Sequence, residues 1–254
     1  MPLNIASLNS GSNGNCYYVG NESEAILVDA GISCRETEKR LSGLGLSIDH
    51  IQAIFISHEH SDHIRGVEVL ARKHRLPVYI TEATLRNSRL KLDESLVVPF
   101  RAGFPVHIGN LEINAFPKKH DAADPHCFTI TDGGITIGVF TDIGEPCEGV
   151  ICSFSQCRAV FLEANYDEKM LEEGSYPWFL KNRIRGDHGH LSNQQALDLF
   201  ARHKPPFMTH VLLSHLSHDN NNPELVRELF KKQANGIEIA IASRYGATEV
   251  YRVQ

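Results

Sequence analysis

A chain of 254 residues, 42% hydrophobic and 22% charged, carries enough apolar material for a large buried core and is expected to form a single domain over residues 1–254. Its formal net charge of −6 excludes a general attraction to nucleic acid or to an anionic membrane, so a phosphate-bearing ligand needs a local basic patch. With no apolar run of about eighteen residues, and no basic segment leading into a long apolar one after Met1, neither a membrane helix nor a secretory leader is read, and a cytoplasmic address is expected.

In chain order, short strands are expected at Leu3–Ser7, Asn15–Val19 and Glu24–Asp29, joined by turns rich in glycine and asparagine. The first turn, Leu8-Asn9-Ser10-Gly11-Ser12-Asn13-Gly14-Asn15-Cys16, offers small residues whose backbone amides can wrap a phosphate, or simply forms a tight hairpin. Ser10, Ser12 and Asn13 are its candidate substrate contacts. A helix follows at Cys34–Leu41 and stops at Gly43. The apolar strand Ile51–Ile56 then runs into His58-Glu59-His60-Ser61-Asp62-His63. Two imidazoles two positions apart can share one ion, and the Asp62-His63 pair points at a second, which is how a short loop builds a dinuclear hydrolytic site.

A helix is expected at Ile64–His74 and a buried strand at Val78–Ile80. Strands at Leu111–Phe116, Cys127–Thr131 and Ile135–Phe140 follow, the last two joined by the hairpin signal Asp132-Gly133-Gly134. Ala159–Leu162 is a strand ending in Glu163, which could reach the site or lie on the surface. Ser192-x-x-Gln195 is a capping box for the helix Gln194–His203, which Pro205-Pro206 blocks. Thr209–Leu213 and Ile237–Ile241 are strands, and Pro223–Gln233 is a helix. The pattern suggests two similar α/β halves packed sheet to sheet with helices outside. None of the six cysteines forms Cys-x-x-Cys, so neither a zinc ribbon nor a thioredoxin-type site is supported.

Further ligand-type residues end other strands: Asp29 after Ala25–Val28, His120 after Leu111–Pro117, Asp142 after Ile135–Phe140, and His215 after Thr209–Leu213. His126 is the alternative to His120. The ordered set Asp29, His58-x-His60-x-Asp62-His63, His120, Asp142, His215 resembles the motifs of the metallo-β-lactamase superfamily. That resemblance implies a four-layer αβ/βα sandwich of two mixed sheets with helices outside. It also implies His58, His60 and His120 on one ion, Asp62, His63 and His215 on a second, and Asp142 between them. Asp29 would brace the histidine loop, unless it is only a turn residue at a strand end. Nitrogen-rich ligation suits zinc, and the carboxylates admit manganese or iron.

The Ser-Gly-Ser-Asn-Gly-Asn-Cys turn, Leu162-Glu163-Ala164-Asn165-Tyr166-Asp167, Gly189-His190-Leu191-Ser192-Asn193, and His215-Leu216-Ser217 before Asn220-Asn221 are similar to the YycJ/WalJ group of that superfamily, neighbours of ribonuclease Z. This resemblance implies a phosphodiesterase, a 5′→3′ DNA exonuclease whose partners are DNA ends. It gives His190 and Glu163 a part in proton transfer, beside Asp62 in the reacting centre. Arg183, Arg185 and His188, next to the capped helix start, are candidates for phosphate contacts, or form a polar loop. Only about seventy residues separate Asp142 from His215, too few for a large inserted nuclease domain. The alternative reading is a hydrolase of a small cyclic phosphodiester, lactone or thioester.

Overall fold

The computed structural model describes residues Met1–Gln254. Its strands form two sheets of seven. The first takes β1 (Leu3–Asn9), β2 (Cys16–Gly20), β3 (Ala25–Val28), β4 (Ile51–Phe55), β5 (Val78–Ile80) and β6 (Val97–Pro99). The second takes β7 (Val106–Ile108), β8 (Leu111–Pro117), β9 (His126–Asp132), β10 (Ile135–Phe140), β11 (Ala159–Glu163), β12 (His210–Ser214) and β13 (Glu238–Ile241). The last strand, β14 (Tyr251–Val253), returns to the first sheet and pairs antiparallel with β1, Leu3 opposite Val253.

Each sheet is antiparallel on one side and parallel on the other. In the first, β1, β2 and β3 pair antiparallel, and β3 to β6 run parallel. In the second, β7 to β10 pair antiparallel, and β10 to β13 run parallel. Parallel strands covered on both faces need apolar residues at every position rather than at alternate ones. Ala25-Ile26-Leu27-Val28 and Ala159-Val160-Phe161-Leu162 meet that need, and all eight are buried.

The alternation of side chains then sorts each strand between two cores. Tyr17, Val19, Ile26, Val28 and Phe55 meet Phe128, Ile137, Val139, Phe161 and Leu212 between the sheets. The opposite faces take the helices. Helix α1 (Cys34–Gly43), the short turn α2 (Ser61–Ile64), α3 (Val67–His74) and α4 (Glu82–Ser88) belong to the first half. Leu41, Leu70 and Ala71 pack there against Tyr18, Leu27 and Ile54. In the second half stand α5 (Glu148–Phe154), α6 (Glu168–Glu173), α7 (Trp178–Arg185), α8 (Asn193–His203) and α9 (Pro223–Lys231). Phe154, Phe200 and Phe230 from three of these cover Val160, Leu162, Val211 and Leu213. The result is a four-layer αβ/βα sandwich of two mixed sheets.

Two segments differ from their sequence reading. The helix expected at Ile64–His74 is two pieces, α2 and α3, broken at Gly66. There the chain passes so close to the loop after β3 that a Cβ would sit 1.9 Å from the Ile32 carbonyl oxygen. The polar stretch before Ser192 is in part the helix α7, which buries none of its residues and so shows no apolar stripe.

Candidate metal centre

Every ligand-type residue lies past the C-terminal end of a strand, and all these ends open onto one rim of the sandwich. The histidine loop after β4 is clamped first by Asp29. Its carboxylate accepts the Ser57 amide at 2.8 Å, the Ser57 hydroxyl at 2.7 Å and Nδ1–H of His63 at 2.7 Å. Because the Ser57 hydroxyl gives its proton to Asp29, its oxygen takes Nδ1–H of His58 at 2.9 Å. Both rings are thereby turned so that Nε2 faces the rim. Asp29 thus does more than end a strand, and it is fully buried.

His58, His60 and His120 present three nitrogens to one point. His58 Nε2 lies 3.1 Å from His60 Nδ1, and His120 Nε2 lies 3.4 Å from the same atom. Nitrogens bound tetrahedrally to zinc at about 2.0–2.1 Å stand roughly 3.3 Å apart, so the spacing fits one shared ion. His120 is held by its other nitrogen, which donates to the Gly189 carbonyl at 3.0 Å. His126, the alternative ligand, starts β9, packs edge-on against Phe100 and stays out of the cluster.

Asp62, His63 and His215 form a second group. Nε2 of His63 and of His215 lie 3.5 and 3.6 Å from Asp62 Oδ2. Asp142 joins both groups: its carboxylate is 3.3 Å from His63 Nε2 and 3.4 Å from His215 Nε2, and it clusters with His58 as well. Asp142 Oδ2 and His215 Nε2 are buried without a hydrogen-bond partner. Orphaned polar atoms at a buried point are costly, and a cation between them supplies the missing interaction. The donor set is nitrogen and oxygen throughout, and no cysteine lies in either group. Burial pushes the nearby Cys127 thiol up to about 12.

The two groups differ electrostatically. Burial, reinforced by His63 and Lys118, holds His58 well below the ordinary imidazole range, and burial draws His120 down to about 3. For His63 burial acts in the same direction, but the carboxylates of Asp142, Asp29 and Asp62 outweigh it and lift the ring to about 10. His215 is likewise raised by Asp142, Asp62 and Glu163 against the effect of burial. In the first group burial disfavours the charged forms of His58 and His120, and the second is a carboxylate-rich pocket that draws positive charge.

Glu163, at the end of β11, is buried rather than superficial. Oε1 accepts Nδ1–H of His190 at 2.8 Å and Nδ1–H of His215 at 3.0 Å, and Oε2 accepts the Ile143 and Leu191 amides at 2.8 and 3.2 Å. Burial opposes its charge, but His190 and the bonds it receives hold the carboxyl down to about 2. The His190 ring lies 5.2 Å, centroid to centroid, from both His120 and His215.

A cleft lined by Ser12, Asn165, Tyr176, Arg183, His190 and His215 leads to this point. Of the proposed phosphate contacts, Ser12 and Arg183 line it, Arg183 through a bond from Nε to Asp121 at 2.5 Å. Ser10 does not: it is buried, bonds the Tyr17 hydroxyl and accepts the His215 amide at 2.7 Å, so it positions His215 instead. Asn13 is tied to Asn9 and to the Arg244 carbonyl. Arg185 turns to Asn182 and Glu172, and His188 is exposed away from the cleft lining. At the start of α8 Ser192 is buried, its amide donating to Gln195 and its hydroxyl to Glu168.

Sequence reasoning missed three supports. Asn15 reaches Asp62 Oδ2 at 3.1 Å and His63 Nε2 at 3.0 Å. Asn165 holds the His215 carbonyl at 2.8 Å. The buried Lys118 ammonium donates to the Thr141 carbonyl at 2.7 Å, just before Asp142. The signal was available as polar residues adjoining strand ends, but nothing in one sequence told them from turn residues.

Comparison with known proteins follows the same lines. A family model described as "Beta-lactamase superfamily domain" matches residues 24–216. The Bacillus anthracis protein named exodeoxyribonuclease YycJ is 37% identical over 232 residues, 89% of this chain and 87% of that one. The Streptococcus pneumoniae protein named exodeoxyribonuclease WalJ is 34% identical over 239 residues, 92% of this chain and 89% of its own. The metallo-β-lactamase fold protein YhfI from Bacillus subtilis superposes with a TM-score of 0.78 at 18% identity, covering 99% of this chain and 100% of that one, a likeness of fold.

Proposed function

The chain belongs to the beta-lactamase superfamily, in the group of YycJ and WalJ, and from that premise we propose that this hydrolase is a dinuclear-metal phosphodiesterase acting as a 5′→3′ exonuclease on DNA. His58, His60 and His120 would hold one divalent ion, zinc or manganese, and Asp62, His63 and His215 the other, with Asp142 shared. When bound, the ions would supply a water acidified toward neutral pH and positive charge beside the phosphate oxygens.

The residues of the chain do the rest. Asp29, Ser57 and Gly189 fix the ligand rings from behind, as outer partners of metal-bound histidines do. Arg183 and Ser12, on the cleft wall, meet the substrate phosphates. Glu163 holds His190 by Nδ1, so Nε2 faces the cleft and delivers a proton to the departing oxygen.

The observation that carries the reading is the His190–Glu163 pair beside both ligand groups. An alkoxide leaving from phosphorus needs a proton, whereas a thiolate leaving from a thioester departs without one. The names and full-length similarity of the relatives favour DNA among phosphodiesters.

The test is digestion of end-labelled double-stranded DNA by chelator-stripped protein resupplied with manganese or zinc. Stepwise loss from the 5′ end, absent in Asp142→Ala, is expected. Activity retained in Asp142→Ala would sink the scheme. Hydrolysis of bis(p-nitrophenyl) phosphate without any cleavage of DNA would transfer the assignment to a small-molecule phosphodiesterase.

A further inference from the structure

Helix α7 carries two large aromatic side chains in open solvent: Trp178 is 74% exposed and its neighbour Phe179 is 70% exposed. Since the helix buries no residue of its own, these rings serve no core. Adjacent exposed aromatics are a liability unless something covers them. The inner face of the helix, Leu180, Arg183 and Ile184, lines the cleft that ends at His190 and His215. At about 100° per residue, Phe179 and Arg183 share the flank next to the cleft, and Trp178, Lys181 and Arg185 share the stripe beyond it.

Every charged residue of the helix is a cation. Arg183 and Arg185 pair with Asp121 and Glu172 across exposed surface, where solvent screens the attraction and a phosphate can compete. Lys181 meets only the main-chain carbonyl of Glu172. The molecule as a whole has a net charge of −6, so long-range attraction does not hold a polyanion here. Short-range contact must, and aromatic rings alternating with cations supply it in a form that tolerates any base.

We propose that α7 is a stacking platform for the substrate strand: bases leaving the cleft past Arg183 lie on Phe179 and then on Trp178, with their phosphates against Lys181 and Arg185. The inference rests on the phosphodiesterase reading and adds that the strand end entering the cleft is unpaired over the length that crosses the helix, whether it comes from a frayed duplex or a single strand.

Trp178 is the only tryptophan, so its emission reports this stripe alone. Chelator-treated protein is titrated with 5′-phosphorylated oligodeoxynucleotides of increasing length, followed both by tryptophan emission and by anisotropy of a labelled strand. The expected result is saturable quenching and an affinity that grows with length until the strand reaches α7. Trp178→Ala and Phe179→Ala each weaken binding of the longer strands by about tenfold. Trp178→Phe restores most of the loss, and the gain with length vanishes in the double alanine variant. In metal-loaded protein the same loss falls on KM rather than on kcat.

If the wild-type protein cuts DNA while its emission stays unmoved, or while the double variant keeps the gain with length, the platform is overturned and the phosphodiesterase reading stands. Emission that instead follows protein concentration, with a doubled mass in sedimentation, assigns the rings to a second copy and also overturns it. A wild-type protein that neither binds nor cuts any DNA removes the phosphodiesterase reading and this inference together.

Discussion

Asp29, Asp142 and His215 share a backbone conformation that none of them prefers, with φ of 61°, 56° and 56°. Left-handed geometry at a residue with a Cβ costs on the order of 1–3 kcal/mol, and it persists where surrounding contacts over-determine it. Here each residue follows a strand end, and the sharp turn directs its side chain back over the rim. The residue types at those positions could be read from the sequence, but the strain that aims them could not. Two outcomes follow at this scale. His190→Ala should lower kcat by about 10²–10⁴ with metal content unchanged by elemental analysis, since the ring stands beside Asp142 and His215 but its Nδ1 is engaged by Glu163. Loss of metal in that variant would make His190 a ligand instead.

The second outcome concerns protons. His63 is raised from 6.5 to about 10 because neighbouring carboxylates outweigh its burial. A group with a raised pKa keeps its proton through the window between those values, and an incoming cation must expel it. Metal affinity should therefore climb as pH rises from 6.5 toward about 10. Calorimetry of metal binding in buffers of different ionisation enthalpy should find protons released. Binding with no proton release would contradict the charge assignment.

At the scale of elements, strands were more legible than helices. The runs at β3, β4, β10, β11 and β12 are apolar at nearly every position because both faces are covered, and a continuous run is visible in any register. Helices α4, α5, α6 and α7 escaped notice because six to eight residues make too few turns to show a stripe. Strands β6, β7 and β14, of three residues each, are mostly half-buried or exposed and lack the buried apolar ends that made the equally short β5 legible. The contact between the loop after β3 and α2 was also invisible. A Cβ on Gly31 would lie 1.6 Å from the Asp62 carbonyl oxygen, and that oxygen already accepts the Asn15 amide at 2.7 Å. Gly31→Ala should push Asp62 and His63 off their point and weaken metal binding by that group, read by competition with a coloured chelator. Full occupancy with unchanged affinity would show that the loop yields elsewhere.

Across the whole molecule, the core between the sheets ties the two halves of the candidate centre together, because its ligand-type residues come from both sheets. Phe161 is fully buried there, its ring 4.9 Å from Tyr17 on the facing sheet. Phe161→Ala should cost about 3–5 kcal/mol, measured as a fall in the urea midpoint. A loss below about 1 kcal/mol would mean that the sheets close over the gap. The four-layer plan could be anticipated from the ordered ligand motifs. The pairing of β14 with β1 could not, since nothing in Tyr251-Arg252-Val253 names its partner.

A centre assembled only from imidazole nitrogen and carboxylate oxygen has one more property. Oxidants that disable many zinc proteins attack thiolate ligands, and this rim contains none. Of the six thiols, Cys16, Cys34, Cys127 and Cys157 are buried, Cys147 is partly so, and Cys152 stands in solvent. Peroxide is therefore expected to meet Cys152 first, on a helix that carries none of the clustered imidazoles and carboxylates. Oxidation of that thiol is therefore expected to leave the imidazole and carboxylate side chains of the rim unaltered.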